Sequence, residues 1–469
     1  MKRWWSKGAV IWAAAGITLV GCTGGLGGSQ QGLKQLGKDE QATIKVMSNM
    51  DERYFYQVYG ALFSAKYPNI DVQVVSTQGF IQYGPDTDIN KEHAKFIDEQ
   101  KPDVLFLSLE QYEKMAEEGR LYELDTVIKQ DKFDLEGILP NVIEAIKSRS
   151  SGKLYGLAPG FNSQALFYNK TLFEKNGVPL PKDQMSWEEL FEAARRFPTT
   201  GDENSRIYGF GMNNYSDSLF QYVRMIGDTK GLSFVNPETG SVTIQTDAWK
   251  KTAQLALDAL KSGAVYRPTP GKQFMGGSME EYFKSDPFIA GKVAMTISGN
   301  YLMDNLKQAK THLKDQVPEW DMVTIPVDPQ NPESSGIMVN QIFAVNAQSQ
   351  SVRAAWEFVK YINGNEYARV TSKSSGMGNM PSRIQYLKDP DGRSLEPFYK
   401  LKGDGMLASR ALGKLPSEFY RSFSMLGDTE LKAALEGKKT VDEALKLIQE
   451  KGQEELIKAK QAEEAKGKP

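Results

Sequence analysis

A chain of 469 residues has material for about three domain-sized units, or for fewer and larger ones. Its 57 Lys and Arg stand against 59 Asp and Glu, and a net charge of −2 argues against a nucleic-acid groove or an electrostatically held membrane protein. The single cysteine excludes an internal disulfide, and two histidines, His93 and His312, without HExxH or CxxC spacing give no basis for a transition-metal site, so no metal or other cofactor is expected.

Lys2, Arg3 and Lys7 precede an apolar run from Gly8 to Val20 that is broken only by Thr18 and is short for a bilayer span, so residues 1–21 read as a secretion signal. Leu19-Val20-Gly21-Cys22 resembles the lipobox of bacterial lipoproteins. That resemblance implies a mature chain that begins at a lipidated Cys22 and sits on the outer face of a cell membrane, most simply in a Gram-positive cell. Each buried CH₂ of an acyl chain contributes about 0.8 kcal/mol, so two or three chains anchor a protein where one does not. Residues 22–41 are rich in Gly, Gln, Ser and Lys without periodicity and read as a flexible tether.

At Thr43 the pattern changes: "ATIKVMS" alternates as a strand, Asp51 to Tyr67 has apolar residues at helical spacing ended by Pro68, and "NIDVQVVS" alternates again. "KPDVLFLS" gives another strand, followed by a helix over Glu110 to Glu118 with Gly119 as its C-cap. Ser186-Trp187-Glu188-Glu189 and Thr440-Val441-Asp442-Glu443 are capping boxes that open helices. Strands are expected at "RIYGFGM", "KVAMTIS", "DMVTIPV" and "QIFAVNA", and helices over Trp249 to Lys261 and Val352 to Ile362. Trp187 and Trp356 fall inside amphipathic helices and read as core. The alternation of strand and helix predicts α/β architecture with parallel sheets covered on both faces. The last dozen residues, "KAKQAEEAKGKP", carry no apolar stripe and are expected to fray.

Several segments in order resemble the extracellular solute-binding proteins, family 1, of ABC importers, the maltodextrin-type sugar binders. These are "SGKLYGLAPGFNSQALFYNKTLFEKNGVPLPKDQMSWEELFEAARRF", "FIAGKVAMTISGNYLMDNL", "WDMVTIPVD", "SVRAAWEFVKYINGNE" and "LEGKKTVDEALKLIQ". The resemblance spans about Thr43 to Ile457 and implies a two-lobe periplasmic-binding-protein fold of type II, with discontinuous lobes joined by hinge strands. Lobe 1 is expected over 42–158 with about 306–345, lobe 2 over 159–305 with about 346–457, and a frayed tail over 458–469. Ligand would bind between the lobes of a monomer, and closure would present the loaded form to ABC permease subunits.

A sugar offers a weakly apolar face and a rim of hydroxyls, so its site calls for aromatic plates and short polar side chains at the C-terminal ends of strands. The loop "SNMDERYF" nominates Asn49, Asp51 and Glu52, although Asp51 reads equally as a helix N-cap. In "LFLSLEQY" the resemblance nominates Glu110 and Gln111, and Glu110 equally suits the first turn of a helix. "APGFNSQALFYNK" offers Asn162, where the family resemblance implies a carboxylate, with Phe161 beside it as plate or core. Tyr301, next to Asn300 in "TISGNYLMDN", stands where the family carries a sugar-stacking Trp. "GMNNYSDSLFQY" supplies Asn213, Asn214 and Tyr215, and "LPSEFYRSFSML" supplies Tyr420 and Phe423. An anionic solute would instead call on arginines such as Arg53 or Arg383.

Other chemistry fits less well. Asp86, Asp88 and Asn90 have a calcium-loop rhythm, but Lys91 and Ile97 stand where such a loop needs Gly and Glu. "GFGMNN" lacks the third glycine of a dinucleotide loop, and no phosphate-loop GxxxxGK[ST] occurs. Both histidines lie in charged segments without a serine partner. The expectation is therefore a lipid-anchored, non-enzymatic receptor for a carbohydrate, an oligosaccharide by expectation, the alternatives being a secreted carbohydrate-active enzyme that uses two carboxylates or a sensory lipoprotein of the same fold.

Overall fold

A computed structural model describes residues 32–37, 39–82, 87, 89–202, 206–211, 217–236, 239–268, 276–332, 337–373, 379–402 and 415–466. Cys22, Asn213, Asn214, Tyr215, Asp86 and Asp88 lie outside these residues. Among the described residues no helix is long and apolar enough to cross a membrane.

Two five-stranded sheets organise the chain. In the first, β1 (Ala42–Ser48) pairs in parallel with β2 (Ile70–Ser76) along its whole length and with β3 (Val104–Leu107) on its other side. β11 (Ile342–Val345) then runs antiparallel to both β3 and β4 (Gly156–Leu157). β3 and β11 are buried at every position, as central strands covered on both faces must be. The second sheet has β6 (Gln164–Asn169) between β10 (Trp320–Thr324) and β9 (Val293–Gly299), both antiparallel to it. β7 (Tyr208–Gly211) and β8 (Val265–Tyr266) continue it in parallel with β9. A short antiparallel pair, β5 (Gly160–Phe161) with β12 (Met380–Pro381), and the bridge Asn162–Met338 lie where the chain passes between the sheets.

Period-two alternation decides which core each residue of β6 enters. Ala165 and Phe167 join the first core, while Leu166 and Tyr168 join the second. The first core gathers helices Leu109–Glu117, Pro140–Lys147, Tyr301–Leu313 and Val352–Ile362. Helices Trp187–Ala194, Leu219–Thr229, Asp247–Lys261, Ser417–Leu435 and Val441–Lys466 build the second. Trp187 and Trp356 are both fully buried, as their helical positions predict. Both expected capping boxes form: Glu189 N–H donates to Ser186 Oγ, and Glu443 N–H donates to Thr440 Oγ1.

Four expectations are corrected. The sheets are mixed rather than parallel, because β11, β6 and β10 enter as returns from the other lobe and meet their neighbours head to tail. The division of lobes also differs, since β10 is zipped along β6 in the second sheet. Helix Val352–Ile362 packs on the first core, being joined to β11 by a turn too short to carry it across. The tether is not free throughout: Gln130 Nε2 donates to Leu33 O at 2.5 Å, and Gln35 bonds to Asp131 at 3.0 Å and to Arg353 at 2.8 Å. Finally, the helix from Val441 runs to Lys466, because Ala, Lys, Glu and Gln are strong helix formers even without an apolar stripe.

Candidate functional site

The parallel strands β1, β2 and β3 end at one edge of the first sheet, and the antiparallel β11 begins there, so Gln341 joins the loops that follow them. At the matching edge of the second sheet Gly299 closes β9 opposite Gln164. Asn300 and Tyr301 follow directly and open the helix Tyr301–Leu313.

These two edges meet around a cavity of about 470 Å³, within the range of small-ligand sites. The first lobe contributes Met50, Tyr54 and Gln341, the second sheet's edge contributes Asn300, and the crossing segments contribute Gly160 and Asn379. Tyr54 is 47 % exposed, an aromatic face open to the cavity. Gln341 is held from within: its Oε1 accepts from Tyr59 Oη at 3.2 Å and from Asn379 Nδ2 at 2.8 Å. Tyr59 owes its position to a π-helical turn, Tyr56–Gly60, inside the helical run from Glu52 to Lys66. A Cβ on Gly60 would stand 2.6 Å from the Tyr56 ring, so glycine is what lets this turn close. Tyr367 Oη donates to Val58 O at 3.1 Å and fixes the same wall.

At the far end of the helix's first turns, Lys307 lines the cavity as well, ion-paired to Asp389, whose side chain is fully buried. Burial alone would raise the Asp389 pKa, but the hydrogen bond and charge of Lys307, with help from Arg393, hold the carboxyl below its usual value. Lys307 is thereby neutralised within the protein. Among the described residues no group of three or more His, Cys, Asp or Glu could hold a metal ion. A larger depression of about 610 Å³ borders the outer edge of β10 rather than the loop ends. There Asp321 and Asp183 accept the outward N–H groups of Met322 at 3.0 Å and Thr324 at 3.1 Å, which blunts an edge strand.

Of the residues nominated from sequence, Asn300 lines the cavity, and Tyr301 stands beside it with 48 % of its surface exposed. Asn49 is exposed in the loop with Met50, and Glu52 is exposed in the first turn of the helix that carries Tyr54. Asp51 caps the helix, its Oδ1 accepting from Tyr54 N–H at 3.0 Å. Gln111 is the third residue of a capping box on Ser108, with its Oε1 accepting from Ser108 N–H at 3.0 Å, and Glu110 is exposed in the first turn. Asn162 is partly exposed, and its backbone bridges Met338.

Two aromatic candidates belong to cores instead. Phe161 is 1 % exposed in the first, and Phe423 is fully buried, stacked on Phe234 with ring centroids 5.0 Å apart. Tyr420 is half-buried beneath the Arg224 guanidinium, 5.8 Å from its ring centroid. Arg383 is 2 % exposed and committed to Asp134 and Asn363 O, which leaves it no role toward an anionic solute. His93 is partly buried, and burial lowers its pKa.

Gln341, Asn379 and Tyr54 escaped the sequence reading. For Tyr54 a signal existed, an aromatic residue in the first turn of the helix capped by Asp51. Gln341 and Asn379 sit next to "IFAV" and "MPS" with no motif, and only the return of β11 brings them to the loops.

Comparison with known proteins gives a consistent picture. A binding protein of Brucella abortus (strain 2308) is 25% identical over 227 residues, 48% of this chain and 50% of that protein, so the match spans half of the relative's length. The sugar-binding protein MalE of Xanthomonas citri superposes with a TM-score of 0.60 at 16% identity, covering 90% of this chain and 99% of that one. A substrate-binding protein of Listeria monocytogenes, solved in complex with cycloalternan, superposes with a TM-score of 0.53 at 20% identity, covering 88% and 98%. These structures share the two-lobe type II fold. The model of the bacterial extracellular solute-binding protein family matches residues 48–369, and this chain belongs to that family.

Proposed function

We propose that the protein is the substrate-binding component of an ABC importer that captures a carbohydrate between its lobes, tethered to the outer face of the membrane by lipid on Cys22. The observation that carries this reading is the cavity at the meeting of both sheets' loop edges, where exposed Tyr54 and the amides of Asn300, Gln341 and Asn379 converge. Tyrosine faces suit the CH face of a pyranose, and amides pair with hydroxyls as donor and acceptor at once. Lys307 is already paired with Asp389 and is not free to bind an anion. The neighbour solved with cycloalternan, and the sugar-binding protein of Xanthomonas citri, support the same ligand class.

A thermal-shift and calorimetric screen of the mature domain against neutral and acidic mono- and oligosaccharides tests this. Ligand at about 100 times its Kd adds roughly 2.7 kcal/mol of stability. Absence of any shift across the panel would sink the carbohydrate reading, and turnover of a bound sugar would make the protein an enzyme. For the anchor, Cys22→Ala should release the protein from the membrane fraction while leaving its sugar affinity unchanged; retention in that fraction would refute lipidation at this residue.

A further inference from the structure

The floor of the cavity holds an amide whose two ends are treated differently. Gln341 Oε1 receives two donors from the protein, Tyr59 Oη from the π-turn of the first lobe and Asn379 Nδ2 from the segment leading into β12. That fills the two lone pairs of the carbonyl oxygen. No described residue takes up its Nε2 hydrogens, and Gln341 is partly exposed on the cavity.

We propose that Gln341 is a specificity-determining residue of this cleft: with its carbonyl oxygen held from within the protein, its Nε2 hydrogens donate to an unsubstituted hydroxyl oxygen of the bound carbohydrate. The inference rests on the carbohydrate reading of the site. Orientation comes from both partners. Tyr59 is 4 % exposed, and its hydroxyl has little freedom to turn away. Asn379 immediately precedes Met380, which pairs with Phe161 where the chain crosses between lobes. The amide that meets the ligand is thus tied to a crossing strand as well as to the first lobe.

The test measures affinity for mannitol, tagatose, maltose and maltotriose by calorimetry on the wild type and on Gln341→Met and Gln341→Glu, with the unliganded Tm recorded for each. Gln341→Met removes both donors at similar volume. Gln341→Glu keeps an oxygen for Tyr59 and Asn379 but turns the ligand-facing donor into an acceptor, and it serves as the readout if the methionine variant folds poorly. We expect the sugar bound by the wild type to bind about tenfold more weakly to both variants, the loss of one net hydrogen bond, with the Glu variant's unliganded Tm close to that of the wild type. Wild-type affinity retained in either folded variant overturns the assignment of Gln341 while leaving the carbohydrate reading intact. A wild type that binds none of the four sugars removes the carbohydrate reading and this inference with it.

Discussion

At the scale of single residues, aromatic side chains divide sharply by exposure, which sequence spacing does not reveal. Tyr301 and Phe423 carry similar local signals, yet one is 48 % exposed beside the cavity and the other is sealed against Phe220, Phe234 and Phe419. Tyr301→Ala should therefore weaken sugar binding roughly two- to tenfold with little change in unliganded Tm, as calorimetry and a melt would show. Phe423→Ala should instead cost about 3–5 kcal/mol of stability in denaturant unfolding, because it opens a cavity in a filled core. Capping residues were the most legible class: the Asp51, Ser186 and Thr440 signals are local, and their hydrogen bonds form within three residues. Charge environment was not legible. Burial pushes the Asp228 carboxyl up to about 6 against a weak pull from Arg224, 3.9 Å away. A raised carboxyl pKa means that the folded state holds its proton longer than the unfolded chain. This group's contribution to stability is thus lost as pH rises from about 4, the ordinary carboxylate value, to about 6. Asp228→Asn should flatten that part of the Tm–pH curve, and an unchanged slope between pH 4 and 6 would contradict the assignment.

At the scale of elements, the helix Val352–Ile362 was legible in its full length, but its partners were not. Its buried Arg353 and its Lys360 converge on Asp131 at 2.7 Å and 2.9 Å, Trp356 Nε1 donates to the same carboxylate at 3.0 Å, and Glu357 pairs with both cations. Burial alone would raise the Asp131 pKa, but the hydrogen bonds from Arg353, Lys360 and Trp356 outweigh it and hold the carboxyl well below the usual range. Asp131 therefore contributes stability that is present above its unfolded pKa, near 3.9, and is lost as pH falls below it. Asp131→Asn leaves Arg353 short of a counter-charge in a buried place. It should cost about 3 kcal/mol near pH 7, with the deficit shrinking in acid, and a deficit that stays constant with pH would argue against the ion cluster as its source. Gln35 completes this cluster from the tether, so Leu33 and Leu36, which pack on the first core, ride on an electrostatic latch. Composition showed a flexible segment there because one glutamine and two leucines among glycines carry no periodicity.

At the scale of the whole molecule, the order of landmarks in the sequence conveyed the two-lobe fold, while the crossing points depended on contacts between residues hundreds of positions apart. Asn162 bridges Met338, Ser163 Oγ donates to Phe398 O at 2.5 Å, and Asn141 Nδ2 donates to Tyr399 O and Leu401 O, so the crossing segments around Asn162, Met338 and Phe398 are bound to one another and to the first lobe. Arg383 pins the segment that follows β12 to the first lobe through Asp134 and Asn363. Gly160 pairs with Pro381 between β5 and β12 and also lines the cavity. A Cβ there would stand 2.9 Å from Met380 O and 3.1 Å from Asn379 Cβ, and the first of these is backbone that cannot swing aside. Gly160→Ala should therefore push β12 away from β5 and carry with it the Asn379 amide that orients Gln341. Because the substitution acts on the crossing strands rather than on either core, its effect belongs to lobe closure more than to stability. Small-angle scattering with and without saturating sugar should show a smaller contraction on binding than in the wild type, with weaker affinity and a Tm lowered by only a few degrees. A variant that contracts and binds as the wild type does would show that the crossing strands have slack, and that closure is governed elsewhere.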